Sequence, residues 1–305
     1  MLKLQFRTED ALVDAVLTGL VGVFEAAFPR RIKAYYLFGS YAYGSPVPTS
    51  DVDVNIVFRD DNALTELVSE RLGFGMRLSE EEEERFLLLT EHLRLISPVQ
   101  LGLGARQEGF IRDRFSLVEE EVNPRRFLYG EDLIAELREY SPEPSSDRTP
   151  GPQRVRRPKL LARAHELICS THSVPEGFVG QLPFPDEQGE FFGYDAPQSE
   201  RSGKATRGME RFFNACVFPV CTARLELAGV SVSRKDMVAT AYREHVGDEW
   251  SDFVEEAFLL CRETWHYRLP RERSDRDKLR QLCISAKAFC SHFLAVYRGS
   301  SGARQ

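Results

Sequence analysis

The sequence has no run of about eighteen apolar residues, the length a helix needs to cross the hydrocarbon core of a bilayer, so it gives no membrane span. It has no Cys-x-x-Cys pair, which removes the zinc-ribbon and thioredoxin-like readings. The six cysteines (Cys169, Cys216, Cys221, Cys261, Cys283 and Cys290) all lie in the second half, most of them inside apolar helical patterns, and are expected to be reduced core thiols. Positive charge is not in excess: 40 Lys and Arg stand against 47 Asp and Glu, for a net charge of −7. That balance weighs against a protein whose main task is to neutralise nucleic-acid phosphates, although it leaves room for a local basic channel. There is no internal repeat, and no low-complexity tract beyond Glu80–Glu84. The opening residues, MLKLQFRTEDALVDAV, carry acids where a signal peptide would be continuously apolar, so the expected location is cytoplasmic.

What is present is a globular composition, 42% hydrophobic and 29% charged over 305 residues, enough for two ordinary domains. Residues 141–158, SPEPSSDRTPGPQRVRRP, hold five prolines and four arginines and read as a linker that can sustain neither a helix nor a central strand. The expected organisation is a mixed domain over 1–140, the linker over 141–158, and a helical domain over 159–305, an α+β chain.

In the first part, Leu12, Val13, Val16, Leu17, Leu20, Val23 and Phe24 recur with helical period over 8–28. An apolar strand is expected from Ile32 to Phe38, and DVDVNIVF alternates strictly as a second strand. Residues 61–95 read as mostly helical, with Ser79 a hydroxyl cap ahead of the glutamates. Further strands are expected over Pro98 to Leu103 and Arg126 to Tyr129. The second part reads as helices over about 158–171, 204–228, 234–246, 248–266 and 275–298, with a capping box at Ser233–Asp236. A polar stretch over 173–203 carries Asp186, Glu187, Glu190 and Asp195 among five aromatics, either a solvated loop or an acidic lip for a polycation.

The chemistry concentrates in the first hundred residues. Asp51 and Asp53 are two apart in a strand, so their carboxylates leave the same face, while Val52, Val54 and Ile56 point into a core. Two carboxylates aimed at one spot repel unless a cation joins them, and hard oxygens of this kind suit Mg²⁺ held jointly with phosphate oxygens. Gly39-Ser40 closes the preceding strand, where glycine lets backbone N–H groups approach a phosphate and the serine hydroxyl can donate to it. Gly44 and Ser45 could extend that cradle. Ten residues separate Ser40 from Asp51, room for a helical turn and a loop that bring cradle and carboxylates to one sheet edge.

The segment LFGSYAYGSPVPTSDVDVNIVF resembles the signature of the DNA polymerase β-like nucleotidyltransferase superfamily. Within it the chain is most similar to aminoglycoside adenylyltransferases of the streptomycin/spectinomycin type, which carry a helical domain after the catalytic one. FLYGEDL (127–133) and the region from Lys204 to Phe258 resemble later parts of that group. The resemblance implies that Gly39 and Ser40 bind the triphosphate of ATP and that Asp51 and Asp53 hold one or two Mg²⁺. It also implies transfer of AMP to a hydroxyl of a small molecule, an aminoglycoside antibiotic among the candidates, and hence a role in antibiotic resistance.

The family usually supplies a third carboxylate from a neighbouring strand. The equivalent strand here offers Gln100, which cannot deprotonate a hydroxyl. Glu108, one of Glu119–Glu121, Glu131 or a group of the helical domain could take that role, or transfer activity could be weak or absent. The six histidines are scattered, and Arg262 and His266 are too close together for the Arg-x4–6-His motif of ribonuclease partners. Two other readings therefore stand beside a small-molecule transferase. One is an enzyme acting on a protein or tRNA in the manner of toxin–antitoxin nucleotidyltransferases. The other is a degenerate nucleotide-binding regulator.

Overall fold

The computed structural model describes residues 2–60, 78–113, 115, 125–140, 191, 198–199, 205–206, 208–230, 232 and 234–302. The chain divides into two compact units, Met1–Thr149 and Pro150–Gln305. The expected linker over 141–158, the helix over 158–171, residues 61–77, Glu119–Glu121 and most of the 173–203 stretch lie outside the described residues. Among the described residues no helix is long and apolar enough to cross a membrane.

The first unit is built on a four-stranded mixed sheet in the order β3-β2-β1-β4. Strands β1 (Ile32–Phe38) and β2 (Val52–Phe58) are antiparallel, β4 (Arg126–Gly130) joins β1 antiparallel, and β3 (Leu101–Gln107) lies parallel to β2. A parallel neighbour cannot follow through a tight turn. The connection from β2 to β3 accordingly runs through the long helix α3 (Glu80–Ile96). Pairing in β3 begins at Leu101 rather than at the expected Pro98. Proline has no N–H for a ladder, and Ser97 turns the chain there, its hydroxyl bonded to the Val99 carbonyl at 2.7 Å.

One face of the sheet carries the main core. Helix α1 (Ala11–Ala27) starts where Asp10 accepts from the amides of Leu12 (2.8 Å) and Val13 (3.2 Å), and it buries Val13, Leu17, Leu20, Val21 and Phe24. These side chains meet Val52, Val54, Ile56 and Phe58 of β2, and the Phe58 ring contacts both Phe28 and Phe86. Among the described residues of this unit, the opposite face carries a second, smaller cluster at one end. There α4 (Glu108–Asp113) and α5 (Leu133–Tyr140) enclose Ala34, Tyr36, Val57, Ile111, Leu133 and Ile134. Tyr36 pins α5 by donating to Asp132 at 3.0 Å and accepting from the Ile134 amide at 3.0 Å.

The second unit is helical: α6 (Gly208–Phe212) and α7 (Phe218–Leu227) joined by a wide π turn, α8 (Lys235–His245), α9 (Ser251–Ala257) running into a second π turn (Phe258–Thr264), and α10 (Arg273–Gly302). A two-residue pairing of β5 (Gln198–Ser199) with β6 (Ala205–Thr206) precedes them. Cys221, Cys261, Cys283 and Cys290 are buried and in no disulfide, as expected for core cysteines. Ser233 lies outside the described residues, and Asp236 is held by Arg234 at 2.6 Å.

Helix α3 opens with a complete capping box: the Ser79 hydroxyl accepts from the Glu82 amide, and Glu82 accepts from the Ser79 amide. Glu82 also accepts two bonds from Arg31, at 2.6 and 3.2 Å, which ties the helix start to the start of β1. The Arg31 guanidinium is the main cause holding the Glu82 carboxyl below its usual range; partial burial opposes it and the Ser79 amide assists it. Because the folded-state value is depressed, this stabilisation is present above the unfolded pKa and lost as pH falls through the folded one. Glu82→Gln should therefore cost about 1–2 kcal/mol at neutral pH in urea unfolding. The difference from wild type should close on acidification, and a difference that persisted in acid would remove the ion pair from the account.

Candidate active site

The sequence motifs meet at the other end of the second sheet face. β1 ends at Phe38, which pairs with Asp53, and the next residue turns sharply. Gly39 has φ of +75°, a conformation strained for any side chain, and a Cβ there would lie 2.8 Å from Asp53 Oδ2. The single-turn helix α2 (Ser40–Tyr43) follows, and Gly44 ends it with φ of +71°. The amides of Gly44 and Ser45 both donate to the Ser40 carbonyl, Ser45 at 3.0 Å, and close the helical turn. A turn at Val47–Ser50 returns the chain to Asp51, the Ser50 amide donating to the Val47 carbonyl at 2.8 Å. The Tyr41 phenol on α2 is pushed up by partial burial and then by the nearby carboxylates of Asp10 and Asp51.

Strict alternation in β2 sends Asp53 and Asn55 to this face while Val52, Val54 and Ile56 enter the core. Asp51 stands immediately before the strand. The Val52 amide donates to the Gln100 carbonyl at 2.8 Å, which sets the parallel register that places Asp53 opposite Gly102. The two carboxylates then converge. The position a Cβ would take on Gly102 is 2.1 Å from Asp53 Oδ1 and 3.5 Å from Asp51 Oδ2. Two half-buried carboxylates turned toward one point form a hard-oxygen donor set that fits Mg²⁺.

On its site face β3 brings exposed Gln100 beside Asp51, Gly102 beside Asp53 and Gly104 beside Asn55. The strand supplies no carboxylate. Glu108 and Glu131 stand at the far end of the sheet. Glu108 is six residues past Gly102, roughly 20 Å along the strand direction, and pairs with Arg112 at 2.8 Å. The Glu131 amide donates to the carbonyl of Lys33, which lies five residues ahead of Phe38 on β1 and so roughly 16 Å from the Asp53 rung. The Glu131 carboxylate accepts from Arg59 first and Lys33 second, which holds its pKa down to about 2. A carboxylate so placed and so acidic is a poor proton acceptor for a hydroxyl at Asp53. Glu119–Glu121 lie outside the described residues.

Sequence reasoning missed Gly102. The signal was the Gly-Leu-Gly alternation of β3 facing the Asp-Val-Asp of β2, legible only once the two strands are in register. On the side of β4, a hollow of about 330 Å³ is lined by Tyr36, Phe127, Asp132, Arg125, Arg126 and Arg138 among others, from β1, β4 and α5. Arg126 Nε donates to the Ala42 carbonyl at 3.1 Å and ties β4 to α2.

The second unit holds the one cluster among the described residues in which three potential metal donors approach each other, Asp248, Glu249 and His292. The carboxylates face different nitrogens of the imidazole: Asp248 is 3.8 Å from Nε2 and Glu249 is 3.6 Å from Nδ1. Asp248 already accepts from Tyr242 at 3.1 Å and from the Trp250 amide at 3.1 Å, with Arg224 at 3.5 Å. This geometry pins α10 to the α8–α9 turn.

Comparison with curated proteins gives no match. Among solved structures, the chain is similar to spectinomycin adenyltransferase AAD(9) from Enterococcus faecialis, determined with ATP and spectinomycin. Identity is 12% and the TM-score 0.44, over 91% of this chain and 99% of that one. Residues 18–108 match the family model of the nucleotidyltransferase domain. That segment runs from within α1 through β3 and contains Gly39, Ser40, Asp51, Asp53 and Gln100. The first unit of this chain carries a nucleotidyltransferase domain.

Proposed function

We propose that the chain is a metal-dependent enzyme that transfers AMP from ATP to a hydroxyl of a small molecule, with aminoglycoside-type antibiotics as the acceptor class. The observation that carries the nucleotide half of this reading is the convergence of Asp51 and Asp53 over Gly102, beside the Gly39–Ser40 turn. The acceptor half rests on the sequence resemblance given above.

Asp51 and Asp53 would hold Mg²⁺, which supplies a Lewis acid that neutralises charge on the phosphates. The absence of a side chain at Gly39 lets a phosphate approach the main chain, and the Ser40 hydroxyl can donate to one of its oxygens. Arg125, Arg126 and Arg138, around the hollow by β4 and α5, add positive charge to this unit. On the side of β3, the Gln100 amide can hold an acceptor hydroxyl by a hydrogen bond but cannot take its proton. That same residue favours a second reading, a nucleotide-binding protein without transfer. An acceptor of the tRNA class is disfavoured by the net charge of −7.

Incubation with labelled ATP and Mg²⁺ in the presence of an aminoglycoside and spectinomycin panel, total tRNA or cell protein separates these readings by which acceptor gains label. Mg²⁺-dependent ATP binding with no labelled acceptor would establish the second. Asp51→Asn and Asp53→Asn should each lower kcat at least about a thousandfold, the equivalent of about 4 kcal/mol. Transfer surviving in either variant would remove that residue from the site. Glu131→Gln should leave kcat within about threefold of wild type; a loss as deep as that of Asp51→Asn would reinstate Glu131 as the base.

A further inference from the structure

Gly39 and Gly102 flank Asp53 on opposite sides. Gly39 stands at the end of β1 and Gly102 on β3, and β2 runs between them. Asp53 directs Oδ2 toward Gly39, where a Cβ would sit 2.8 Å away, and Oδ1 toward Gly102, where a Cβ would sit 2.1 Å away. Contacts under 3.0 Å are not sustained by real side chains, so the carboxylate occupies space that two neighbouring residues would otherwise fill. Gly102 has no positive φ, so its backbone tolerates alanine. Only the room over its Cα sets it apart.

We propose that Gly102 is a positioning residue: by carrying no side chain it lets the Asp53 carboxylate lie over β3, in the orientation that brings Oδ1 toward Asp51. This deepens the metal-site reading given above and rests on it for its functional meaning. The clash itself is a property of the chain alone. A methyl group at 102 would push Oδ1 off β3, and the carboxylate would have to move away from the Gly102 rung, which Asp51 Oδ2 also faces. Gly104, one rung along the same strand, provides the comparison. A Cβ there meets Asn55 Oδ1 at 3.2 Å and Arg106 Nη1 at 3.6 Å, contacts that small side-chain shifts absorb, and it touches neither aspartate.

The test uses the full chain and two readouts. Mn²⁺ titration in the presence of ATP, followed by paramagnetic resonance, should show affinity weakened at least about tenfold in Gly102→Ala and changed less than about twofold in Gly104→Ala, about 1.4 and 0.4 kcal/mol. Equal affinity in Gly102→Ala and wild type, or an equal loss in both variants, would overturn the proposal. Thermal unfolding without metal reads the clash directly. Gly102→Ala should lower Tm in the wild-type background and have little effect when Asp53→Ala is also present; the same loss in both backgrounds would overturn it. Should Gly102→Ala alone fail to fold, recovery of folding on adding Asp53→Ala gives the expected result in stronger form. If wild-type protein binds no Mn²⁺ with ATP, the metal-site reading fails, and the Tm comparison still decides the packing claim.

Discussion

Strand β2 has to serve an aromatic core on one side and a charged site on the other, and the two requirements alternate residue by residue. Val52, Val54, Ile56 and Phe58 face α1 and α3, whereas Asp53 and Asn55 face the opposite side. A slip of one residue in pairing would drive Asp53 toward Phe24 and Phe86 and expose a row of branched side chains. The cost of burying that carboxylate without a partner is several kcal/mol, which fixes the register more firmly than any single hydrogen bond. Everything else in the site follows from that register, including the rungs on which Phe38 and Gly102 stand.

The second sheet face is divided between two kinds of stabilisation. At one end α4 and α5 cover a small apolar cluster, bordered by Lys33, Arg59, Glu108, Arg112, Glu131 and Glu136 in a connected set of ion pairs. At the other end, beside Asp51 and Asp53, neither helix covers the strands. The charge network is partly exposed and each pair is worth little alone. Its effect is to keep the two glutamates occupied and away from the carboxylate pair. On this face the apolar cluster among the described residues thus lies at the end away from Asp51 and Asp53.

Much of this was legible in the residues. The alternation of DVDVNIVF gave β2 and both of its faces, the helical period gave α1, and Ser79 gave the start of α3. Where reading one residue at a time fell short, the reason was a partner elsewhere in the chain, near or far. β3 begins three residues later than expected because Ser97 and Pro98 form a turn, and Gly102 carries no chemistry of its own to notice. Gly44 and Ser45 look like part of a phosphate cradle in the sequence, yet their amides face the Ser40 carbonyl, a choice set by helix closure. Glu131 offers a carboxylate in the right domain, but Lys33 and Arg59 claim it at the wrong end of a strand. For Gly102 and Glu131 the missing information was a partner distant in the chain; for Gly44, Ser45 and the start of β3 it was a local turn.

The mixed pairing of the sheet has a kinetic consequence. β1 and β2 are joined by a short connection and can form as a local unit, bringing Gly39 beside Asp53 early. β3 reaches its place only after a crossover of some forty residues, and such non-local parallel pairings form late. The strand that floors the carboxylates is therefore the one whose docking completes the sheet. A partly folded chain would hold Asp51 and Asp53 on a hairpin with nothing beneath them, so ion binding would appear together with the last folding step rather than ahead of it.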